Sequence, residues 1–309
     1  MPELTIRPMQ RDEWDEVAEL VRVSTNHWYE SHTGGAIFTG PPDAMLLFCQ
    51  VYEALDPGFC VVAEDGRTGR LAGSCFYRQR ETHVSLGIMN AHPDFFGQGV
   101  AKRLLKHITD YADERRLPIR LVSSAINLDS FSLYSRAGFV PRTPFQDMIF
   151  EVPSEGLGIS VDGADRVRPA TADDVEAIVA LEDELVGIRR EKDYRFFIDN
   201  AMGIWHTLVL EGDDGRLAGF LGSVAHPGSN LFGPGVMRDE ATAAALIAAQ
   251  LDHHRGRSPV FLVPCQASHL VQTLYRWGVR NCELHFAQVR GAFRTPTGLI
   301  MPTFMPETG

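Results

Sequence analysis

The chain repeats itself in a fixed order, and that repetition constrains its fold more than any other feature. Ile6-Arg7-Pro8, followed by Asp12, Val17, Leu20 and Val21, is echoed by Val167-Arg168-Pro169, followed by Asp173, Ile178 and Leu181. Both stretches read as a strand entering a first helix, with Thr171 and Asp174 spaced as a capping box in the second copy. Val62-Ala63-Glu64-Asp65-Gly66 before Leu71-Ala72-Gly73 has its counterpart in Leu210-Glu211-Gly212 before Leu217-Ala218-Gly219, and each reads as a hairpin. Leu133-Tyr134 before Gly138-Phe139 is matched loosely by Leu274-Tyr275 before Gly278-Val279. A tandem duplication of one α/β unit, each copy a mixed twisted sheet flanked by helices, accounts for the common order. Turn formers are dense over residues 152–165, which predicts a first domain at 1–155, a linker at 156–165 and a second domain at 166–309.

Inside the first copy, His92-Pro93-Asp94-Phe95-Phe96-Gly97-Gln98-Gly99-Val100-Ala101-Lys102 joins a β-type run ending at Ala91 to an amphipathic helix. Val100, Leu104, Leu105, Ile108 and Ala112 recur at helical spacing until Leu117-Pro118. Glycines at 97 and 99 let backbone N–H groups turn toward an anion. The helix start adds its positive dipole end, together with Lys102, Arg103 and Lys106. A pyrophosphate fits such a cradle. A Gly-x-Gly is equally the mark of a plain tight turn, so the context has to decide.

That context is a second strand, Ile119 to Ala125, and then Asn127-Leu128-Asp129-Ser130-Phe131-Ser132-Leu133-Tyr134-Ser135-Arg136-Ala137-Gly138-Phe139. With both stretches in view, the chain resembles the GNAT superfamily of acyl-CoA-dependent N-acyltransferases. The family pattern is Arg/Gln-x-x-Gly-x-Gly/Ala followed, a strand later, by Asn-x-x-Ala/Ser-x-x-Leu-Tyr-x-x-x-Gly-Phe. The second part matches throughout. The first matches as Phe96-x-x-Gly99-x-Ala101, with Phe96 where the family usually has Arg or Gln, a change that alters one side-chain contact and leaves the backbone amides in place.

The resemblance implies an enzyme that uses acetyl-CoA as co-substrate and needs no metal. It implies cofactor contacts from Met89, Asn90 and Ala91, which pair with the acyl and pantetheine amides, and from Phe96, Gly97, Gln98, Gly99, Val100, Ala101 and Lys102, which hold the pyrophosphate. It places Asn127 and Ser130 along the pantetheine arm and the Tyr134 phenol beside the CoA sulfur. A phenol with a pKa of ~10 stays protonated at neutral pH and can protonate the departing thiolate. Asn127 is equally placed to cap the helix that follows it.

The base that takes the amine proton is less clear from the residues. Family members often carry a Glu on the strand before the cradle, and counting back lands here on Ser85, which cannot serve. His83 lies two residues before it, with an ordinary imidazole pKa of ~6.5. A water chain, Glu81, Glu30, His27 and Asp147 are the alternatives. The glycine-rich, aromatic stretch from His27 to Pro42 reads as a specificity loop, with Trp28, Tyr29 and Glu30 as substrate-facing residues, or else as an apolar cover for the core.

The second copy lacks the parts. Leu231-Phe232-Gly233-Pro234-Gly235-Val236-Met237-Arg238-Asp239-Glu240 stands where its cradle should be, with a proline that removes a donor and two carboxylates at the helix start. It is expected to be a degenerate copy without acyl-CoA binding, serving as a structural, dimerising or substrate-shaping partner.

Composition narrows the class. A net charge of −11, spread over both halves, argues against binding a phosphate backbone and is compatible with an amine substrate. No window reaches the length of a membrane span and the start does not read as a signal peptide, so a cytoplasmic protein is expected. The five cysteines are scattered without a Cys-x-x-Cys pair, which suggests thiols rather than a zinc site or a disulfide frame. These readings favour a small-molecule N-acetyltransferase. A protein N-acetyltransferase and a non-catalytic acyl-CoA sensor are the alternatives.

Overall fold

The computed structural model describes residues 3–305 and 307–308 and divides the chain into two compact units. The first is built from residues up to 79 and from 84–119. Its elements are β1 (Leu4–Pro8), α1 (Trp14–Thr33), α2 (Leu46–Leu55), β2 (Cys60–Asp65), β3 (Leu71–Gln79), β4 (Val84–Ala91) and α3 (Val100–Arg115). The four strands pair in the order of the chain, each antiparallel to the next. β3 is buried at every position but its last, because Val17, Leu20 and Val21 of α1 and Leu104, Leu105 and Ile108 of α3 supply the apolar stripes that cover this sheet.

One feature corrects the sequence reading here, and a second lay outside it. The segment from His27 onward is not a loop at its start. α1 contains neither glycine nor proline until Gly34, whose φ of 84° ends the helix in a left-handed cap with its N–H donating to the Glu30 carbonyl. Trp28, Tyr29 and Glu30 therefore ride on the last turns of a helix, and the irregular stretch begins after it. The second feature is a register shift between β3 and β4: Cys75 faces Met89 while Tyr77 faces Leu86, which leaves one extra residue on β4. Such a bulge bends the strand just before Met89.

The second unit holds residues 80–83 and 120–304. Its elements are β5 (Ile119–Ser124), α4 (Leu128–Arg136), β6 (Val140–Ile149), β7 (Val167–Pro169), α5 (Val175–Val186), α6 (Glu191–Asp199), β8 (Trp205–Glu211), β9 (Leu217–His226), β10 (Ser229–Met237), α7 (Glu240–His253), β11 (Val260–Pro264), α8 (Ser268–Arg276), β12 (Arg280–Arg290) and β13 (Leu299–Met301). The hairpins expected from the repeat are present as β2–β3 and β8–β9, and the Thr171–Asp174 capping box forms.

Strand order in this unit is β5-β12-β6-β11-β10-β9-β8-β7, with β13 alongside β10. The two sequence repeats thus trade their last strands: β6 of the first lies between β12 and β11, and β12 of the second lies between β5 and β6. The trade is reciprocal down to single hydrogen bonds. Ala125 N–H donates to the Leu284 carbonyl at 2.8 Å, and Cys265 N–H donates to the Pro144 carbonyl at 3.0 Å. The compact units therefore follow strand pairing and do not divide at residues 156–165. Residues 80–83, the tip of the β3–β4 hairpin, are tied into this unit by the buried Arg80–Asp193 pair at 2.5 Å and by Arg189 N–H donating to Thr82 Oγ1 at 2.9 Å.

Candidate active site

In the first unit the chain leaves β4, makes one 3₁₀ turn over Pro93–Phe95 and enters α3 through Gly97 and Gly99, with φ of 73° and 81°. Both values lie in the left-handed region, and a Cβ added at either position would meet nothing within 4 Å. The space in front of this turn is open. Gly99 is the N-cap of α3, no side chain caps the helix, and its first turn carries no acid. The leading amides of α3 are thus without an anionic partner from a capping side chain, which is the electrostatic condition for holding phosphate. Lys102 is exposed beside them. Lys106 is committed to Asp110 at 2.7 Å, and an Arg103 N–H donates to the Leu4 carbonyl at 3.2 Å.

The turn itself is braced. His92 Nδ1 accepts from the Asp94 N–H, Gln98 Nε2 donates to the Asp94 carbonyl at 3.0 Å, and Asp94 pairs with Arg70 at 2.7 Å. Arg70 holds the Asp94 carboxyl below its ordinary range. Phe96 is 47% exposed, an unusual state for a large aromatic side chain. Its ring lies 5.5 Å from the ring of His27, so the last turns of α1 meet the turn that follows β4. On the same helix Trp28 stacks on His32 at 4.4 Å and meets Tyr29 edge-on at 5.0 Å. The Asn90 side chain points into α1, its Oδ1 accepting from Ser24 Oγ at 2.8 Å.

In the second unit Asn127 is the N-cap of α4, its Oδ1 accepting from Ser130 N–H at 3.0 Å. The Leu-Tyr-x-x-x-Gly-Phe signature has a local explanation. Gly138, at φ 88°, ends α4, Phe139 N–H donates back to the Tyr134 carbonyl at 3.1 Å, and the two rings pack at 5.7 Å. This is a Schellman cap with its apolar contact, and it fixes Tyr134 in a 7% exposed position.

His83 lies in the hairpin tip and is wholly buried, with Nδ1 3.0 Å from Thr82 Oγ1. Its neighbours Arg80 and Thr82 are the anchors to α6 and to Arg189, so its surroundings are those of a structural side chain. Glu30 and His27 are exposed on α1. Asp147 is buried on β6, where desolvation and the nearby Glu283 push its carboxyl up to about 8. Three cysteines are buried, Cys265 is half-buried and Cys282 is exposed, and all five are free thiols.

Where the second copy was expected to have its degenerate cradle, Gly233, Pro234 and Gly235 lie within β10 and form no turn. The helix α7 starts instead at Asp239, whose carboxylate accepts from Thr242 N–H at 2.7 Å. No spacing in the sequence announced that β13 pairs antiparallel with Gly235, Val236 and Met237, because that contact joins residues far apart in the chain. A surface pocket in this unit is ringed by Arg168–Asp174 and Arg238–Glu184 ion pairs that already satisfy its charges.

Residues 22–139 match the sequence model of the Acetyltransferase (GNAT) family. No curated protein sequence matches. Among solved structures, the chain is similar to a protein from Pyrococcus horikoshii, at 14% identity and a TM-score of 0.71 over 96% of this chain and 94% of that one. It is also similar to a GCN5-related N-acetyltransferase from Sphaerobacter thermophilus, at 16% identity and a TM-score of 0.65 over 96% and 100% of the two chains. A tandem GNAT protein of the clavulanic acid biosynthesis pathway aligns at 14% identity and a TM-score of 0.59 over 93% and 98%. Among the described residues no helix is long and apolar enough to cross a membrane.

Proposed function

We propose that the chain, whose residues 22–139 match the Acetyltransferase (GNAT) family, is an acyltransferase that transfers the acetyl group of acetyl-CoA to the amine of a small molecule in one step. The observation that carries this reading is the uncapped, acid-free start of α3 behind the open Gly97–Gly99 turn. Acetyl-CoA would supply the thioester. The amides of Gly97 to Ala101 and the Lys102 ammonium would hold its pyrophosphate, and the bulged end of β4 at Met89–Ala91 would pair with its pantetheine amides. Asn127 and Ser130 would lie along the same arm.

The reaction forms a C–N bond and breaks a C–S bond, so one proton must leave the amine and one must reach sulfur. Tyr134 is assigned the second task, since its cap holds the side chain in place. For the first, His83 is a poor choice given its burial among structural anchors. We assign it to His27, which stands beside Phe96 at the cradle, with Glu30 one turn on. Trp28 and Tyr29 would then shape the acceptor end. The division into a catalytic first copy at 1–155 and a non-binding copy at 166–309 belongs to this same proposal.

Calorimetric titration of acetyl-CoA tests it. One site per chain, abolished in Gly99→Glu, is expected, followed by thiol release with members of an amine panel and not with peptides. Two sites, or a site indifferent to Gly99→Glu, would refute the assignment, and release with peptides alone would move the acceptor to protein.

A further inference from the structure

The traded strands bring together three groups that no sequence motif connects. β6 and β12 pair antiparallel with Glu283 opposite Asp147, and a bulge between Asn281 and Glu283 sets that register. Glu283 and His285 share one face of β12 by the two-residue period. The opposite face is accounted for: the Tyr275 hydroxyl donates to Gln146 there at 2.5 Å, and Phe286 packs on Phe131 of α4 at 5.9 Å. On the trio's face, His285 Nδ1 lies 3.7 Å from Asp147 Oδ2 and its Nε2 lies 4.0 Å from Glu283 Oε1.

The trio is dry. Asp147 is 8% exposed, His285 is 5% exposed and the Glu283 side chain is 10% exposed. Asp147 Oδ1 has no hydrogen-bond partner among the described residues. Two ionised carboxylates placed together in a low-dielectric interior cost several kcal/mol each unless a proton or a metal cation is shared between them. The chemistry of the donors is oxygen, oxygen and imidazole nitrogen, and the nearest thiol, Cys282, is occupied with the Asp147 carbonyl at 3.1 Å.

We propose that Asp147, Glu283 and His285 form a binding site for a divalent first-row metal ion, Zn²⁺ or Mn²⁺, that fastens the traded strands β6 and β12 to each other. One ligand atom from each residue lies within 4.8 Å of the other two. A tetrahedral ion with ligands at about 2.0–2.2 Å has edges of about 3.4 Å, so ligand atoms that now lie within 4.8 Å of one another draw in by up to about 1.4 Å on binding it. The ligands sit on paired strands rather than on loops. The Ser124 hydroxyl donates to Glu283, an outer contact of the kind that orients a ligating carboxylate. The imidazole accounts for a site that prefers Zn²⁺ or Mn²⁺ to Ca²⁺, and the carboxylates for one that does without thiolate.

The test uses the full chain stripped with EDTA and titrated calorimetrically with zinc chloride and with manganese chloride. One ion per chain is expected, with affinity reduced about a hundredfold or more in the Asp147→Asn, Glu283→Gln double variant. A rise in Tm of about 5 °C is expected when free ion exceeds Kd a hundredfold. Acetyl-CoA titration and far-UV circular dichroism of the double variant report whether it is folded. If it is not, histidine NMR of the wild type takes its place, and one buried imidazole must shift on adding the ion. No binding at millimolar ion overturns the proposal. So does binding that survives the double variant, or that is lost instead in His253→Ala, which would place the ion at the stacked surface pair His206 and His253.

Discussion

The β4–α3 turn of the first copy and the β10–α7 turn of the second are built to one plan and hold opposite contents. Gly73 faces Ala91 and Gly219 faces Met237, so Met89, Asn90 and Ala91 correspond to Gly235, Val236 and Met237. A Cβ on Gly73 would come within 2.6 Å of Val100, and one on Gly219 within 2.7 Å of Thr242, so both helices seat on a strand through a glycine. Each bent strand carries one extra residue. There the likeness stops. Asp239 supplies a carboxylate to the amide of Thr242, whereas Gly99 supplies nothing to the start of α3. β13 lies along Gly235–Met237, where the proposed function puts pantetheine in the first copy.

The motif helices show the same division. Aligned on their capping glycines, Gly138 and Gly278, the residue whose carbonyl accepts the capping N–H is Tyr134 in α4 and Leu274 in α8. Tyr275, the match read from the sequence, is therefore one position out of phase and 47% exposed. Asn127 caps α4 with its own side chain, whereas Ala267 has none to offer and the Glu240 carboxylate of α7 accepts from Leu270 N–H in the first turn of α8. A ligand site can thus be closed without disturbing the fold, by giving each amide a partner from the chain itself.

The largest expected effect that would break this comparison is on cofactor binding. Gly99→Glu adds charge and left-handed strain at the open turn and should weaken acetyl-CoA about a hundredfold or more by calorimetry, while Asp239→Lys should leave it unchanged. Next comes turnover: Tyr134→Phe should lower kcat about a hundredfold with little change in acetyl-CoA affinity, and Tyr275→Phe should do neither in the same thiol-release assay.

The third effect is pH-dependent. His254, at the end of α7, is held by Asn230 and Ser223 at 3.0 Å, and burial pushes its imidazole down to about 3. A group depressed in the folded state stabilises fully above its ordinary pKa of ~6.5 and loses that contribution as pH falls toward 3. Stability should therefore be about 2 kcal/mol lower at pH 5 than at pH 7 from this group, and His254→Gln should flatten the urea midpoint between those pH values. The smallest effect sharpens the helix starts: Asp239→Ala should cost about 1 kcal/mol in urea unfolding through loss of its cap, whereas Gly99→Ala should cost a similar amount through left-handed strain alone, because no cap exists there.

Much of this was legible in the sequence because it is local. Turn chemistry, helical period and the Leu-Tyr-x-x-x-Gly-Phe cap depend on residues within a few positions of one another, so the Gly97–Gly99 turn, α3, the Asn127 cap and the hairpins lie where their spacing predicts. The misreadings have equally physical causes. Aromatic and glycine content suggested a loop after His27, yet helix propagation continued to the first residue that could leave it, Gly34. Gly233-Pro234-Gly235 suggested a turn, yet it sits inside a strand.

By itself, the sequence determined the duplicated α/β plan, the glycine turn that frees the amides of α3, and the absence of its counterpart in the second copy. Only the tertiary structure decided that β6 and β12 change places, that β13 fills the second cleft, that His83 is sealed into an anchor, and that Asp147 meets Glu283 and His285. Each of those depends on pairing between strands remote in the chain. Register across a sheet is set by which apolar faces the whole fold can bury together, and no local spacing carries that information.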